Sequence, residues 1–362
     1  MTGKRRLLSL LIILFFSTFS LQALENKYEN YFSFQITPQF EIANGVINEY
    51  VFNDECQNTD NKLSELDWHL KTLALFNINA DLNILKYFAL NLSSTFGVPQ
   101  RSEFMQDSDW RNSFSYDYIS WLEDDPTERT DFSEHINRLE KLVNLKISLG
   151  GNIYLPFEIK LTPHIAYKYD FIKFASSKGY GLYKSENKEF VTYDWASEYS
   201  GNIIGYEQTI NSFLLGLTLN SETIPKTKIK LRFDISPKLT TINAIDYHYY
   251  PRGLAFMDII TGVVLIESDA TAQYMFSKNH SAGIYGSIQS IPLSKGTTYV
   301  RSKILKVISR MITGLKTVVT AAPSVLYGRS GLITLFHSNT YNSAATYIFG
   351  GIKIFILDEY CT

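Results

Sequence analysis

The sequence predicts an all-β protein: a ten-stranded antiparallel transmembrane β-barrel with long extracellular loops and short periplasmic turns. Three observations predict it. Apolar residues recur at every second position over long runs. The opposite faces of those runs carry charge. The links between runs alternate between short and long.

The first run sets Phe32, Phe34, Ile36, Phe40 and Ile42 against Ser33, Gln35, Thr37, Gln39 and Glu41. Period two is the signature of a strand with two unlike faces. Phe88, Leu90 and Leu92 alternate with Ala89, Asn91 and Ser93, and Val143, Leu145, Ile147 and Leu149 with Asn144, Lys146 and Ser148. Phe157, Ile159, Leu161, Ile165, Tyr167 and Tyr169 oppose Glu158, Lys160, Thr162, His164 and Lys168. Ile229, Leu231, Phe233 and Ile235 oppose Lys228, Lys230, Arg232, Asp234 and Ser236. A transmembrane barrel needs this pattern, with lipid on one face and a polar interior on the other. Closure also satisfies every backbone group in lipid.

Counting strands from Tyr31, the even strands are followed by short links: Asn83–Lys86, Gly151–Pro156, Ser221–Thr227 and Pro292–Gly296. The odd strands are followed by long ones: Ala43–Leu63, Val98–Glu134, Ser176–Asn202, Ala244–Asp269 and Ser309–Thr340. Short turns on one rim and long loops on the other are the outer-membrane arrangement. Ile304–Val319 is read as a strand running into a loop, although Leu305, Ile308, Ile312 and Leu315 also fit one side of a helix.

The chain opens with Lys4, Arg5 and Arg6, an apolar run from Leu7 to Leu21, and a small-residue site ending at Ala23. That reads as a signal peptide over 1–23, with the barrel domain over 24–362. The 362 residues hold 34 Lys and Arg against 36 Asp and Glu, so nothing points to nucleic acid. The two cysteines, Cys56 and Cys361, make neither a disulfide framework nor a zinc pattern.

Parity places two acidic motifs on the long-loop rim. Asp107 and Asp109 follow the third strand, and Asp246 and His248 follow the seventh. Residues i and i+2 of an extended backbone point the same way, so each pair addresses one side of a cleft, its Cα atoms about 7 Å apart. Two close carboxylates resist ionising together, and an Asp beside a His orients the ring. Between the pairs one water could be held, with the imidazole as general base. The spacing matches no common metal-ligand motif, and no Ser or Cys nucleophile accompanies it.

These residues carry a resemblance. Met105–Trp110, Asp246–Tyr249, Leu66–Trp68 and Ile204–Gln208 resemble, in order and spacing, the motifs of the omptin family of ten-stranded outer-membrane endopeptidases. The resemblance implies hydrolysis of exposed peptide bonds, commonly between basic residues, by Asp107, Asp109, Asp246 and His248. His135, in Ser133–Glu134–His135, resembles the family's active-site histidine at the end of the second outer loop. The family also implies a monomer in the outer membrane with its site facing outside. No cofactor is implied beyond lipopolysaccharide packed on the wall as an activator, and the partners are cationic peptides or proteins.

Two departures, at Ala244 and at the chain end, qualify the resemblance. Omptins that cut at basic pairs carry an acid two residues before the dyad Asp, where this chain has Ala244. Glu55 or Asp54 in the first loop is the candidate for a second acidic specificity position. Leu357–Thr362 extends past Gly351–Ile356, the run that resembles the family's last strand. The second loop is acidic at Glu123, Asp124, Asp125, Glu128, Asp131 and Glu134, which suits attraction of cationic peptides or an ordinary solvated loop. The rival readings are a catalytically silent barrel serving as adhesin or receptor, and a small porin.

Overall fold

A computed structural model describes residues 20–22, 32–52, 62–110, 128–185, 187–277 and 280–302. Its strands are β1 (Ser20–Gln22), β2 (Phe32–Phe52), β3 (Lys62–Ile84), β4 (Phe88–Gly97), β5 (Gln100–Asp109), β6 (Asp131–Gly151), β7 (Ile153–Leu155), β8 (Ile159–Lys184) and β9 (Phe190–Asp194). A single turn of helix, α1 (Trp195–Glu198), precedes β10 (Asn202–Ser221), β11 (Thr227–His248), β12 (Leu254–Met275), β13 (His280–Ser290) and β14 (Thr297–Ser302).

Antiparallel pairing runs β2–β3, then β4 and β5 end to end along β3, then β6, β8, β10, β11 and β12. β13 and β14 both pair with β12, and β1 bridges β13 and β2 to complete the ring. β1 lies inside the segment read as a signal peptide. The strand expected at Gly351–Ile356, the whole of Ile304–Val319, and the remainder of residues 1–23 lie outside the described residues.

The two faces divide as period two demands. Phe34, Ile42, Phe76, Leu92, Phe96, Leu145, Ile147, Leu149, Ile165, Phe213, Leu215, Leu217, Leu231, Phe233 and Ile288 are exposed on the outer wall. Their inward neighbours are Lys146, His164, Lys168, Asp170, Arg232, Asp234 and Glu267, all buried. Each of these seven side chains has a polar partner. Lys146 Nζ lies 2.9 Å from Glu267 and 3.2 Å from Asp234. Lys168 lies 3.0 Å from Glu267, and Arg232 Nε and His164 Nε2 each lie 2.6 Å from Asp234. Burying these ions is tolerable only because they are paired and hydrogen-bonded. Gly216 serves this network: a Cβ there would collide with Asp234 Oδ1 and His164 Nε2. Lys168 and Arg232 point inward and belong to this layer.

The strands overrun the membrane. β11 has 22 residues, about 70 Å of extended chain, where a tilted crossing takes about 9–11 residues. The surplus stands above the apolar band on the long-loop side, so three long links shorten. β2 continues to Phe52, β5 and the start of β6 take residues 100–109 and 131–134 from the second link, and β8 continues to Lys184.

Two link assignments are corrected. Ala244–Asp269 is not a loop: β11 runs to His248 and β12 begins at Leu254. The stretch hides its alternation because Ile260, Val263 and Leu265 are buried inside while Met257 and Ile266 face outward. At Gly262, with φ +73°, the register slips and the phase of the alternation changes. Pro292–Gly296 is not a turn either. β13 and β14 lie along the same strand, β12, in the same sense, so the segment interrupts one strand, and the reversal falls between Met275 and His280.

Above the ionic layer lies an apolar plug: Leu73, Leu75, Leu142, Ile172, Ile210, Leu214, Ile242, Ile260, Val263 and Leu265, all buried. Trp68 continues it upward, stacked on Phe174 and Tyr206 with ring centres 5.7 and 5.2 Å apart. A cavity of about 800 Å³ lies beneath the plug, at the short-turn end, lined by such residues as Asn83, Lys160 and Lys230. None of the residues proposed for catalysis lines it. A planar-bilayer recording is therefore expected to show no steady conductance. A stable open channel would revive the porin reading.

Candidate active site

The strand ends above the plug position the polar residues of the rim. On β5, Met105 and Asp107 follow the inward phase, and Asp107 stands between Leu66 of β3 and Ser133 of β6. Asp109 follows on the same phase. On β11, Asp246 and His248 are both buried and lie opposite Tyr206 and Ile204 of β10. Asp107 and Asp109 are thus strand residues rather than loop residues, as are Asp246 and His248, which fixes their directions.

His248 Nε2 donates to Asp246 Oδ2 at 2.6 Å. The ring rests edge-on against Phe256 of β12, with centres 5.2 Å apart. Asp107 and His248, from opposite sides of the ring, lie close enough to act on each other's charge. The four residues singled out from sequence therefore meet at one cleft. Burial pushes the Asp107 carboxyl up to about 7, helped by neighbouring Asp109 and opposed by His248 and Arg252. For His248, burial opposes the charged ring, but Asp246 and Asp107 outweigh it and raise its pKa. These groups all stand beyond the apolar band.

Two carboxylates were not found from sequence. Glu49 on β2 and Asp258 on β12 are buried beside Asp246 and lie against each other. Burial raises both: Glu49 well above its ordinary value, and Asp258 to about 6 despite hydrogen bonds from Thr298 and Glu49. Burial thus favours the neutral form of each, and the two carboxyls resist ionising together. Buried oxygens of Asp107 (Oδ1), Asp246 (Oδ1), Glu49 (Oε2) and Asp258 (Oδ2) have no hydrogen-bond partner among the described residues. Unpaired buried carboxylate oxygens are costly, and such a cluster is what a site held ready for a cationic or proton-donating ligand presents.

Ala244 is buried and faces inward directly opposite Asp258 in the β11–β12 ladder. The acid absent from position 244 is matched by one on the adjoining strand. The sequence signal for Glu49 was the continuation of period two through Ile47, Glu49 and Val51. For Asp258 it was a lone acid within Phe256–Ile260. Glu55, Asp54 and, in the acidic second loop, Glu123, Asp124 and Asp125 lie outside the described residues.

His135 engages both of its ring nitrogens within the barrel wall. It is buried, with Nδ1 2.6 Å from the Lys178 carbonyl and Nε2 2.9 Å from Ser133 Oγ. Its Nδ1 donates to that carbonyl, and burial holds its pKa below the ordinary value. Its ring lies 6.1 Å from Trp195 of α1, which packs edge-on against Tyr183 and Tyr250. Among the described residues, no group of three or more His, Cys, Asp or Glu is arranged to hold a metal ion.

Fold and site together define a transmembrane β-barrel with a carboxylate–imidazole cleft on its long-loop rim. The omptin family model matches residues 33–307. The chain belongs to the omptin family, whose members are outer-membrane endopeptidases. Among solved structures it is similar to the outer membrane protease OmpT from Escherichia coli, with a TM-score of 0.65 and 16% identity over 90% of this chain and 98% of that one. No curated protein matches the sequence.

Proposed function

We propose that the chain is an outer-membrane endopeptidase that hydrolyses exposed peptide bonds beside basic residues, its cleft facing outside the cell. The observation that carries this reading is the buried Asp246–His248 hydrogen bond facing Asp107 across one cleft.

The chemistry follows from the geometry. Asp246 accepts from Nε2–H and so leaves Nδ1 of His248 as the basic nitrogen. Asp107 and Asp109 hold a water, which gives a proton to Nδ1 as its oxygen adds to the peptide carbonyl carbon. The C–N bond then breaks, and His248 returns the proton to the departing amine. His135 keeps Ser133, the β6 neighbour of Asp107, in place. Glu49 and Asp258 supply the negative charge that receives a basic side chain, with Ala244 leaving room beside them. Lipopolysaccharide on the outer wall is the expected activator, and the protein acts as a monomer.

A peptide-library digest by the full chain, supplemented with lipopolysaccharide, tests this reading. Cuts beside Arg and Lys are expected, and no cut at any sequence would sink it. Asp258→Asn is expected to reduce the preference for a basic over a neutral residue roughly ten-fold, by removing one partner of a buried charge contact. The comparison of kcat/KM on matched peptides checks this, and an unchanged preference would place recognition elsewhere.

A further inference from the structure

The turn between β11 and β12 brings a resident cation into the cleft. Arg252 reaches from this turn to β5, where its Nη2 lies 3.2 Å from Asp109 Oδ2. The pair is partly enclosed, with side chains 38% and 14% exposed. It therefore ties together two parts of the rim that are remote in sequence, at the mouth of the proposed catalytic cleft. The deeper acid pair contrasts with it: Glu49 and Asp258 each keep a buried oxygen with no hydrogen-bond partner among the described residues. One acidic position of the cleft already holds a guanidinium, and the other does not.

We propose that Arg252 is a specificity-determining residue, occupying on Asp109 the seat that a substrate cation would otherwise take. The cleft then accepts one basic side chain, over Glu49 and Asp258. It disfavours a second basic residue next to Asp109, where Arg252 instead presents positive charge to an acidic side chain. The inference rests on the endopeptidase reading above, and it changes the expected substrate from a dibasic sequence to a basic residue followed by a neutral or acidic one. The chemistry is that of like and unlike charges at close range: a cation beside Arg252 must either displace it or face it.

Three fluorogenic peptides test it, each with Arg before the scissile bond and Lys, Ala or Glu after it. They are presented to the full chain, Arg252→Ala and Arg252→Lys. The wild type is expected to rank them Glu, Ala, Lys by kcat/KM. Arg252→Ala is expected to reverse the order, with a gain of about five-fold for the Lys peptide, the upper range for a partly exposed pair. Arg252→Lys keeps the wild-type order. If Arg252→Ala does not fold, Arg252→Gln replaces it. A wild type that prefers the Lys peptide, or an alanine variant that keeps the wild-type order, overturns the proposal. If no peptide is cut by any form, the endopeptidase reading fails. The same three peptides, labelled and followed by fluorescence anisotropy, then decide the Arg252 inference by the same rank orders.

Discussion

Replacing His248 with alanine is expected to lower kcat/KM by about 10²–10⁴-fold, the usual contribution of a positioned general base. The fall should appear in kcat, with KM nearly unchanged, because the imidazole acts on the water rather than on the bound peptide. The side chain is buried against Asp246 and Phe256, so its loss also leaves the Asp246 carboxylate unpaired. His248→Gln keeps much of the volume and a donor for Asp246 but cannot act as a base. It should be as inactive as the alanine variant while folding more stably. A glutamine variant that retained wild-type kcat would remove the imidazole from the mechanism.

The second large effect belongs to Asp107. Its carboxyl is held up to about 7, chiefly by burial and then by Asp109. A carboxyl raised in this way stays protonated between its ordinary value and about 7. Any step that needs its charge is therefore lost as pH falls through 7, some three units earlier than for an ordinary aspartate. The raised pKa of His248 works in the same direction, because the neutral ring is the base and forms only as pH rises. Activity is expected to climb from pH 5 through 7, with its optimum on the alkaline side. Asp107→Asn should cost about 10²-fold or more and remove one ionisation from the acid limb. It should also lower the pKa of His248, since a favourable neighbouring charge is gone. The profile of kcat/KM from pH 5 to 9 for both forms checks this. A variant with the wild-type acid limb would contradict it.

How much of this was legible in the sequence depended on which face carried the contrast. Runs such as Val143–Leu149 and Ile229–Ser236 put lipid-facing apolar residues against Lys146, Arg232 and Asp234. The barrel followed directly from that contrast, and the parity of the links placed both acidic motifs on one rim. Legibility failed where both faces turn apolar. In β12 the plug residues Ile260 and Val263 face inward beside outward Met257, and Gly262 resets the phase, so a strand looked like a loop. The same failure concealed Asp258. Glu49 is hidden because the strong apolar–polar alternation of β2 stops near Ile42, whereas the strand continues to Phe52. Arg252 has no sequence pattern at all. Its partner Asp109 is 143 positions away, and only the closing of the ring brings them together.

The most direct measurement is a double-mutant cycle of kcat/KM over His248→Ala, Asp107→Ala and the double variant. Residues that act on a single water lose most of its activation when either is removed. The double variant is then expected to be little worse than the more damaged single one. Losses that multiply, or a single variant with wild-type activity, would show that the two residues do not share one water.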